Sequence, residues 1–455
     1  MINAESLGDP RFKAAYGLRY AYVAGGMYKG IASAEMVIAL GRAGLMGYLG
    51  AGGMRADQLV EAIASVKSAL ANGEPWGVNL VCSRPEHELA TARVFLAQGA
   101  RNVEMAGFLR VTPALVLLRL KGARRRANGN AAPHRRLLAK ISKVEVASAF
   151  MQPAPANLVA QLRMSGDLSP EECECAQLLP MADDICVESD SGGHTDQGVA
   201  FTLLPAILSL RDESHSARLS LRDMHIGAAG GIGTPEAAAA AFTLGADFIL
   251  TGSINQCTVE AGTSDVVKSM LQGIDIRDTT YAPAGDMFEM GSRVQVLKRG
   301  SFFAARANRL YELYRGYGSL EELGPAIRSE IEGFFGRSID SVWEESRAYH
   351  ASSDSVRLQQ IERNGRQKMA SVFKWYFIHT SRLAREGAPE NRRSFQVHCG
   401  PALGAFNRSV RGTALEPWQN RHVAAIGIRL MSLAAEVLGH RYQRLMLGVN
   451  ERSHA

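Results

Sequence analysis

Residues 224–256, MHIGAAGGIGTPEAAAAAFTLGADFILTGSINQ, alternate two short apolar runs with two glycine-rich turns. The run 225–229 predicts a buried strand. Gly230, Gly231 and Gly233 predict a turn that no β-carbon crowds. Thr234-Pro235-Glu236 predicts a helix start, with a hydroxyl cap, a proline in the first turn and an acid at the positive end. Gly245 stops that helix, and residues 248–250 predict a second strand ending in Thr251-Gly252-Ser253. Two such turns on successive strands aim backbone N–H groups and a helix N-terminus at one point, which is how proteins hold a phosphate. In a (β/α)8 barrel the loops after the last two strands build this pocket. The alternative is a pair of tight turns with no ligand.

Working outward, residues 20–24, 45–49, 76–80, 102–105, 143–150 and 185–188 predict six more strands with helical stretches between them. Such alternation makes a parallel sheet, and eight units close it into an α/β TIM barrel. An open doubly wound sheet is the runner-up, but its cofactor turn follows the first strand rather than the last two. Residues 122–136, GARRRANGNAAPHRR, interrupt the pattern, and Asn128-Gly129 is a hairpin-turn signal. Residues 116–121 and 136–140 are the expected arms of this insertion, which occupies about 110–142. From about residue 265 helical signals dominate, over 302–314, 320–335, 341–367, 372–385 and 422–438. The expected division is a barrel over 1–285 and a helical subdomain over 286–455 that covers one barrel mouth.

At 455 residues, 46% hydrophobic and 21% charged, the chain has room for one large domain and a smaller one. The net charge of +6 comes without a helix-turn-helix pattern, zinc spacing or aromatic-basic interleaving, so nucleic acid is not an expected partner. A basic face suits an acidic partner instead. The cysteines at 82, 173, 175, 186, 257 and 399 form no paired framework and read as reduced thiols of a cytoplasmic protein. Cys173-Glu174-Cys175 on a helix does not put both thiols on one face, so no metal site is expected. No charged-then-apolar leader and no apolar run of membrane-spanning length is read from the sequence.

Several residues could carry chemistry. Asn79 sits inside a buried-looking strand, where its amide must find partners. It is either a satisfied core residue or an edge for a planar heterocycle, offering donor and acceptor. His194 follows Ser191-Gly192-Gly193 beyond the sixth strand, at the end of a barrel that carries catalysis. Those glycines let the backbone approach a ring closely, and an imidazole can give a proton near neutral pH. The plain alternative is a surface-loop histidine. Asp190 and Asp196 flank it, either to orient the ring or as solvated loop acids. Arg124-Arg125-Arg126 with Arg135-Arg136 is a solvated face or a dock for an acidic carrier domain.

Taken together, these residues resemble the trans-acting enoyl reductases of bacterial polyketide and polyunsaturated fatty-acid synthases. That group is related to nitronate monooxygenases and to FMN-dependent enoyl-carrier-protein reductases. The shared segments are Ala24-Gly25-Gly26-Met27, residues 50–52, residues 77–80, residues 188–196 and residues 229–233. Residues 282–291, 294–300 and 399–407 narrow the likeness to the trans-acting branch. The resemblance implies FMN on the barrel, NADPH as hydride donor and an enoyl thioester on an acyl carrier protein. It implies that Gly231 and Gly252-Ser253, with Gly230 and Ile232, hold the FMN phosphate. Ala24, Gly25, Gly26, Met27 and Asn79 would then line the ring, with Gly192 and Gly193 near it and His194 facing substrate as catalytic residue. No membrane partner is implied, and a homodimer through the helical region is left open. Two departures fall at the catalytic face: Gln197-Gly198-Val199, where Asn-Arg-Pro is expected, and residues 104–108, EMAGF, in place of a small-residue strand end. A nitronate monooxygenase-type oxidase and a non-catalytic carrier-docking subunit are the other readings.

Overall fold

Eight parallel strands, Tyr22–Ala24, Met46–Leu49, Gly77–Val81, Asn102–Ala106, Arg136–Ile141, Asp184–Glu188, His225–Ala229 and Ile249–Thr251, close in chain order into a barrel. The computed structural model describes residues 2–214 and 221–447. The chain divides into two compact units. One holds residues 1–190, 197–262 and 405–455; the other holds 191–196 and 263–404.

Seven of the eight barrel strands fall where the apolar runs put them; the fifth does not. Residues 143–150, expected as a strand, lie in the helix Val144–Met151, and the strand is Arg136–Ile141. The reason is visible in burial. Val146, Ala147, Phe150 and Met151 are buried at helical spacing, whereas Leu137, Leu138, Ala139 and Ile141 fill a continuous buried strand. Residues 116–121, expected as an arm of the insertion, fall mostly in the helix Pro113–Leu120, which is buried nearly all round. The hairpin itself is present: Arg124–Arg125 pairs antiparallel with Ala131–Ala132, and Gly129 turns it at φ +85°.

The N-terminal end of the barrel is plugged by the helix Pro10–Tyr16, which Asp9 caps. Phe12 stacks on Phe248 at 4.1 Å between centroids. The Tyr16 hydroxyl donates to Asp184 at 2.6 Å, and the other oxygen of Asp184 lies 2.6 Å from His225 Nδ1. This end is closed by side chains, which leaves the opposite rim for ligands.

The helix Val423–Leu447 belongs to the barrel unit. It packs on the barrel helices Pro235–Thr243 and Ala34–Arg42, with Gly427 against the Tyr22 ring. The expected break at 285–286 therefore lies inside the second unit. By length and composition this helix could cross a membrane, which corrects the expectation that no such run exists. Its interior carries Arg429 and Glu436 and its last turns Arg441 and Arg444, the pattern of an amphipathic helix with one face on a protein core.

In the second unit, the helices Phe303–Gly316, Pro325–Phe335, Ile339–Ser353, Ser355–Glu362 and Gly365–Glu386 surround an aromatic core of Phe288, Phe303, Phe335, Phe373, Tyr376 and Phe377. The helix expected over 341–367 breaks twice. Asp354 and Asn364 each accept a backbone N–H three residues on, so each starts a new helix. A hairpin of Thr279–Pro283 with Arg293–Leu297 was not read from the sequence. Gly192 pairs with Gln295 and His398 with Val296, so the short strand Gly193–Thr195 and the 398 segment both join that hairpin.

Candidate functional site

The predicted phosphate residues come together on the barrel unit. Gly230 and Gly231 turn the chain at φ +91° and +72°, which few other residues tolerate. A β-carbon on Gly230 would sit 2.5 Å from the Ser189 carbonyl oxygen, so that turn is packed. On Gly231 and on Gly252 a β-carbon would meet nothing within 4 Å. Buried Ile232 holds the loop down. Thr234 caps the helix Pro235–Thr243 by accepting from Ala237 N at 3.3 Å. Ser253 opens a four-residue helix after Gly252. The two glycines thus leave open space over backbone N–H groups beside a helix N-terminus, an arrangement that fits a phosphate.

The first strand's turn adjoins this cradle. Ala24 is in register with Thr251, and Gly25 N donates to the Thr251 carbonyl at 3.0 Å. Gly26 N donates to Glu104 Oε2 at 2.8 Å, and Asn79 Nδ2 donates to the same oxygen at 2.6 Å. Ala24, Gly25, Gly26, Met27 and Asn79 are therefore neighbours, and Asn79 is neither a lone core amide nor free to face a ligand with either end. Glu104 is 0% exposed, and its Oε1 has no hydrogen-bond partner. Burial lifts its carboxyl above the usual range, against the pull of the Lys140 ammonium and its two N–H donors. Lys140 lies 3.1 Å from Glu188. Burial works against that ammonium, but Glu188 and Glu104 outweigh it and hold it protonated.

Thus four neighbouring strands put Asn79, Glu104, Lys140 and Glu188 into one polar network. Of these only Asn79 stands out from the sequence as a site residue. The signal for Glu104 and Lys140 was present, because each is a charge inside an otherwise apolar barrel strand.

Gly192, Gly193 and His194 fall in the other unit. Asp190 N donates to the Gly198 carbonyl at 2.9 Å, so the two feet of this excursion are tied together on the barrel unit. Gln197, the first residue of the departing tripeptide, returns the chain at φ +58°. Strain of this kind concentrates where a loop is held for function. Within the second unit His194 Nε2 lies 2.9 Å from Asp286 Oδ1. An ionised carboxylate only accepts, so the ring nitrogen donates. The expected orienting acids were Asp190 and Asp196; the structure supplies Asp286, 92 residues further on. Partial burial would lift the Asp286 carboxyl, yet the His194 hydrogen bond and charge leave it below its usual value.

His398 completes the cluster. It is partly buried, and that burial, with the nearby charge of His194, pulls its pKa down to about 4. The Gln396 amide nitrogen, 2.7 Å away, donates to His398 Nε2, which fixes the neutral ring with its proton on Nδ1. Cys173 and Cys175 are free thiols, and among the described residues no group of His, Cys, Asp or Glu is placed to hold a metal ion.

Residues 10–294 match the family model described as nitronate monooxygenase, and residues 317–395 match the inserted helical domain of [acyl-carrier-protein] S-malonyltransferase. The enoyl reductase domain of MlnA, from the macrolactin cluster of Bacillus amyloliquefaciens, is 42% identical; the match covers 96% of this chain and 99% of that one, with a TM-score of 0.91. The polyketide biosynthesis protein PksE of Bacillus subtilis is 51% identical over 98% of this chain and 58% of its own length. A polyunsaturated fatty acid synthase polypeptide of a Thraustochytrium species is 40% identical over 90% of this chain and 28% of its own length. The chain therefore spans from about a quarter to somewhat over half of these curated relatives.

Proposed function

Because the chain belongs to the nitronate monooxygenase family of oxidoreductase barrels, we propose that it is a trans-acting enoyl reductase. Its substrate would be the α,β-double bond of an enoyl thioester carried by an acyl carrier protein in polyketide or polyunsaturated fatty-acid synthesis. The observation that carries this reading is the likeness to the MlnA enoyl reductase domain, which runs through both compact units rather than the barrel alone. FMN and NADPH would be its cofactors, its setting cytoplasmic, and its partner the carrier protein of a synthase.

FMN would supply hydride transfer from NADPH to the β-carbon. Gly230, Gly231, Ile232, Gly252 and Ser253 would hold its phosphate, where the open space over Gly231 and Gly252 supports the fit. Ala24, Gly25, Gly26, Met27 and Asn79 would line its ring. His194 would hold the proton that the α-carbon needs, or donate a hydrogen bond to the developing enolate oxygen. Asp286 would keep the imidazole oriented and favour its charged form.

The test is the visible absorbance of the purified protein, followed by anaerobic NADPH and then a crotonyl thioester. Bleaching by NADPH and recovery with the thioester supports the reductase. A colourless protein that takes up no FMN sinks the flavin reading and leaves a docking subunit. The match to the nitronate monooxygenase model favours a second reading, an oxygen-using oxidase. Oxygen uptake with propionate 3-nitronate and no NADPH would decide for it.

A further inference from the structure

We propose that Glu104 is a positioning residue that turns the Asn79 carboxamide so its carbonyl oxygen, not its NH2 group, faces the cofactor and accepts from the imide N–H of the flavin. This rests on the flavin reading above. The Glu104 side chain crosses from the fourth strand to the third and to the turn after the first. One of its oxygens takes both N–H groups, from Gly26 at 2.8 Å and from Asn79 at 2.6 Å. Backbone Gly26 can only donate, which fixes Oε2 as an acceptor; a proton on this acid belongs on Oε1. With Nδ2 drawn to Oε2, the Asn79 oxygen points the other way along the amide.

The contact is direct because Gly26 has no side chain. A β-carbon there would lie 2.3 Å from Asn79 Cβ and 2.9 Å from Glu104 Oε2. The Lys140–Glu188 pair lies beside it, and its ammonium opposes the burial that raises the carboxyl. The oxidised isoalloxazine ring has a single ring N–H, on N3. An acceptor aimed at the ring edge therefore reads that atom.

The experiment measures FMN and N3-methyl-FMN binding by flavin fluorescence in the full chain and in Glu104→Met, Glu104→Gln and Asn79→Ala. Methionine keeps volume and removes the acceptor; glutamine keeps an acceptor. The parent should bind N3-methyl-FMN at least tenfold more weakly than FMN. Glu104→Met and Asn79→Ala should bind both flavins alike, each about tenfold weaker than the parent binds FMN. Glu104→Gln should restore discrimination to within threefold, a rescue that a merely structural role for the charge would not give. Full discrimination in a folded Glu104→Met, or in Asn79→Ala, overturns the assignment while leaving the flavin reading intact. A parent that binds neither flavin overturns both.

Discussion

Glu104 and Asp286 are both carboxylates that orient a partner, but they do so in opposite surroundings. Glu104 has no exposure and takes two N–H groups through one oxygen, whereas the Asp286 side chain is 55% exposed and His194 is 39% exposed. Breaking a buried hydrogen bond leaves a polar group stranded, so the barrel network is set before any ligand arrives. A half-exposed ion pair competes with water and contributes little to stability. The barrel network is thus fixed by burial, whereas the His194–Asp286 pair answers to solvent.

The largest test of that contrast is His194→Ala. It should lower turnover roughly 10²- to 10⁴-fold, the usual worth of a positioned acid, while flavin content stays that of the parent. Steady-state rates and the visible spectrum read the two separately. A loss of flavin alongside turnover would mean that His194 belongs to the cradle. The converse is Gly252→Asp, which points a carboxylate into the open space over the phosphate turn. Two like charges about 4 Å apart near a surface repel by about 4 kcal/mol, so FMN affinity should fall by more than about 100-fold. The melting temperature of the flavin-free protein should hardly move. Unchanged FMN binding would remove the phosphate from this turn.

A smaller effect is expected of Asp286→Asn. The amide keeps the ring in place but no longer favours the imidazolium, so turnover should fall about tenfold, near the low end of acid–base effects. Activity should also begin to fail at lower pH on the alkaline side. A pH–rate profile that keeps the parent's shape would show that Asp286 does not act through His194.

Most of the barrel was legible because its strands are short apolar runs cut by glycine, a pattern set by local sequence. The fifth strand is hidden because Lys140 cuts its apolar run short, while Val144–Met151 is the longer stretch of mostly apolar residues. The cradle's outline was legible for the same local reason: Gly230, Gly231 and Gly252 sit in turns. What joins distant segments was not legible. Glu104 meets residues 25 and 78 positions away, and Asp286 meets His194 across 92. The sequence shows Glu104 as a charge inside a strand but not the partners that explain it. His398 carried no signal, since a histidine in an irregular segment acquires its role only through the fold.

His398 gives the smallest effect and the sharpest sign. The groups facing it are His194 and Asp286, with the Gln396 amide on its own segment. Its pKa falls from 6.5 to about 4 on folding, chiefly through burial. The unfolded chain therefore binds a proton between those values that the folded one does not. Stability from this group is whole above pH 6.5 and is lost as pH falls toward 4. At 1.36 kcal/mol per unit, the loss by pH 5 is about 2 kcal/mol and by pH 4 about 3 kcal/mol. Asp286 has the same sign, but its carboxyl is held below its usual value and so stays ionised over this range. Glu104 has the opposite sign: raised by burial, it costs stability as pH rises through its folded value. Hydrogen exchange along residues 293–297 should therefore speed up between pH 7 and pH 5 once corrected for intrinsic rates, while exchange along the fourth barrel strand should not. His398→Gln should remove the change at 293–297, because a neutral amide binds no proton. An unaltered pH dependence in that variant would leave His398 as packing alone.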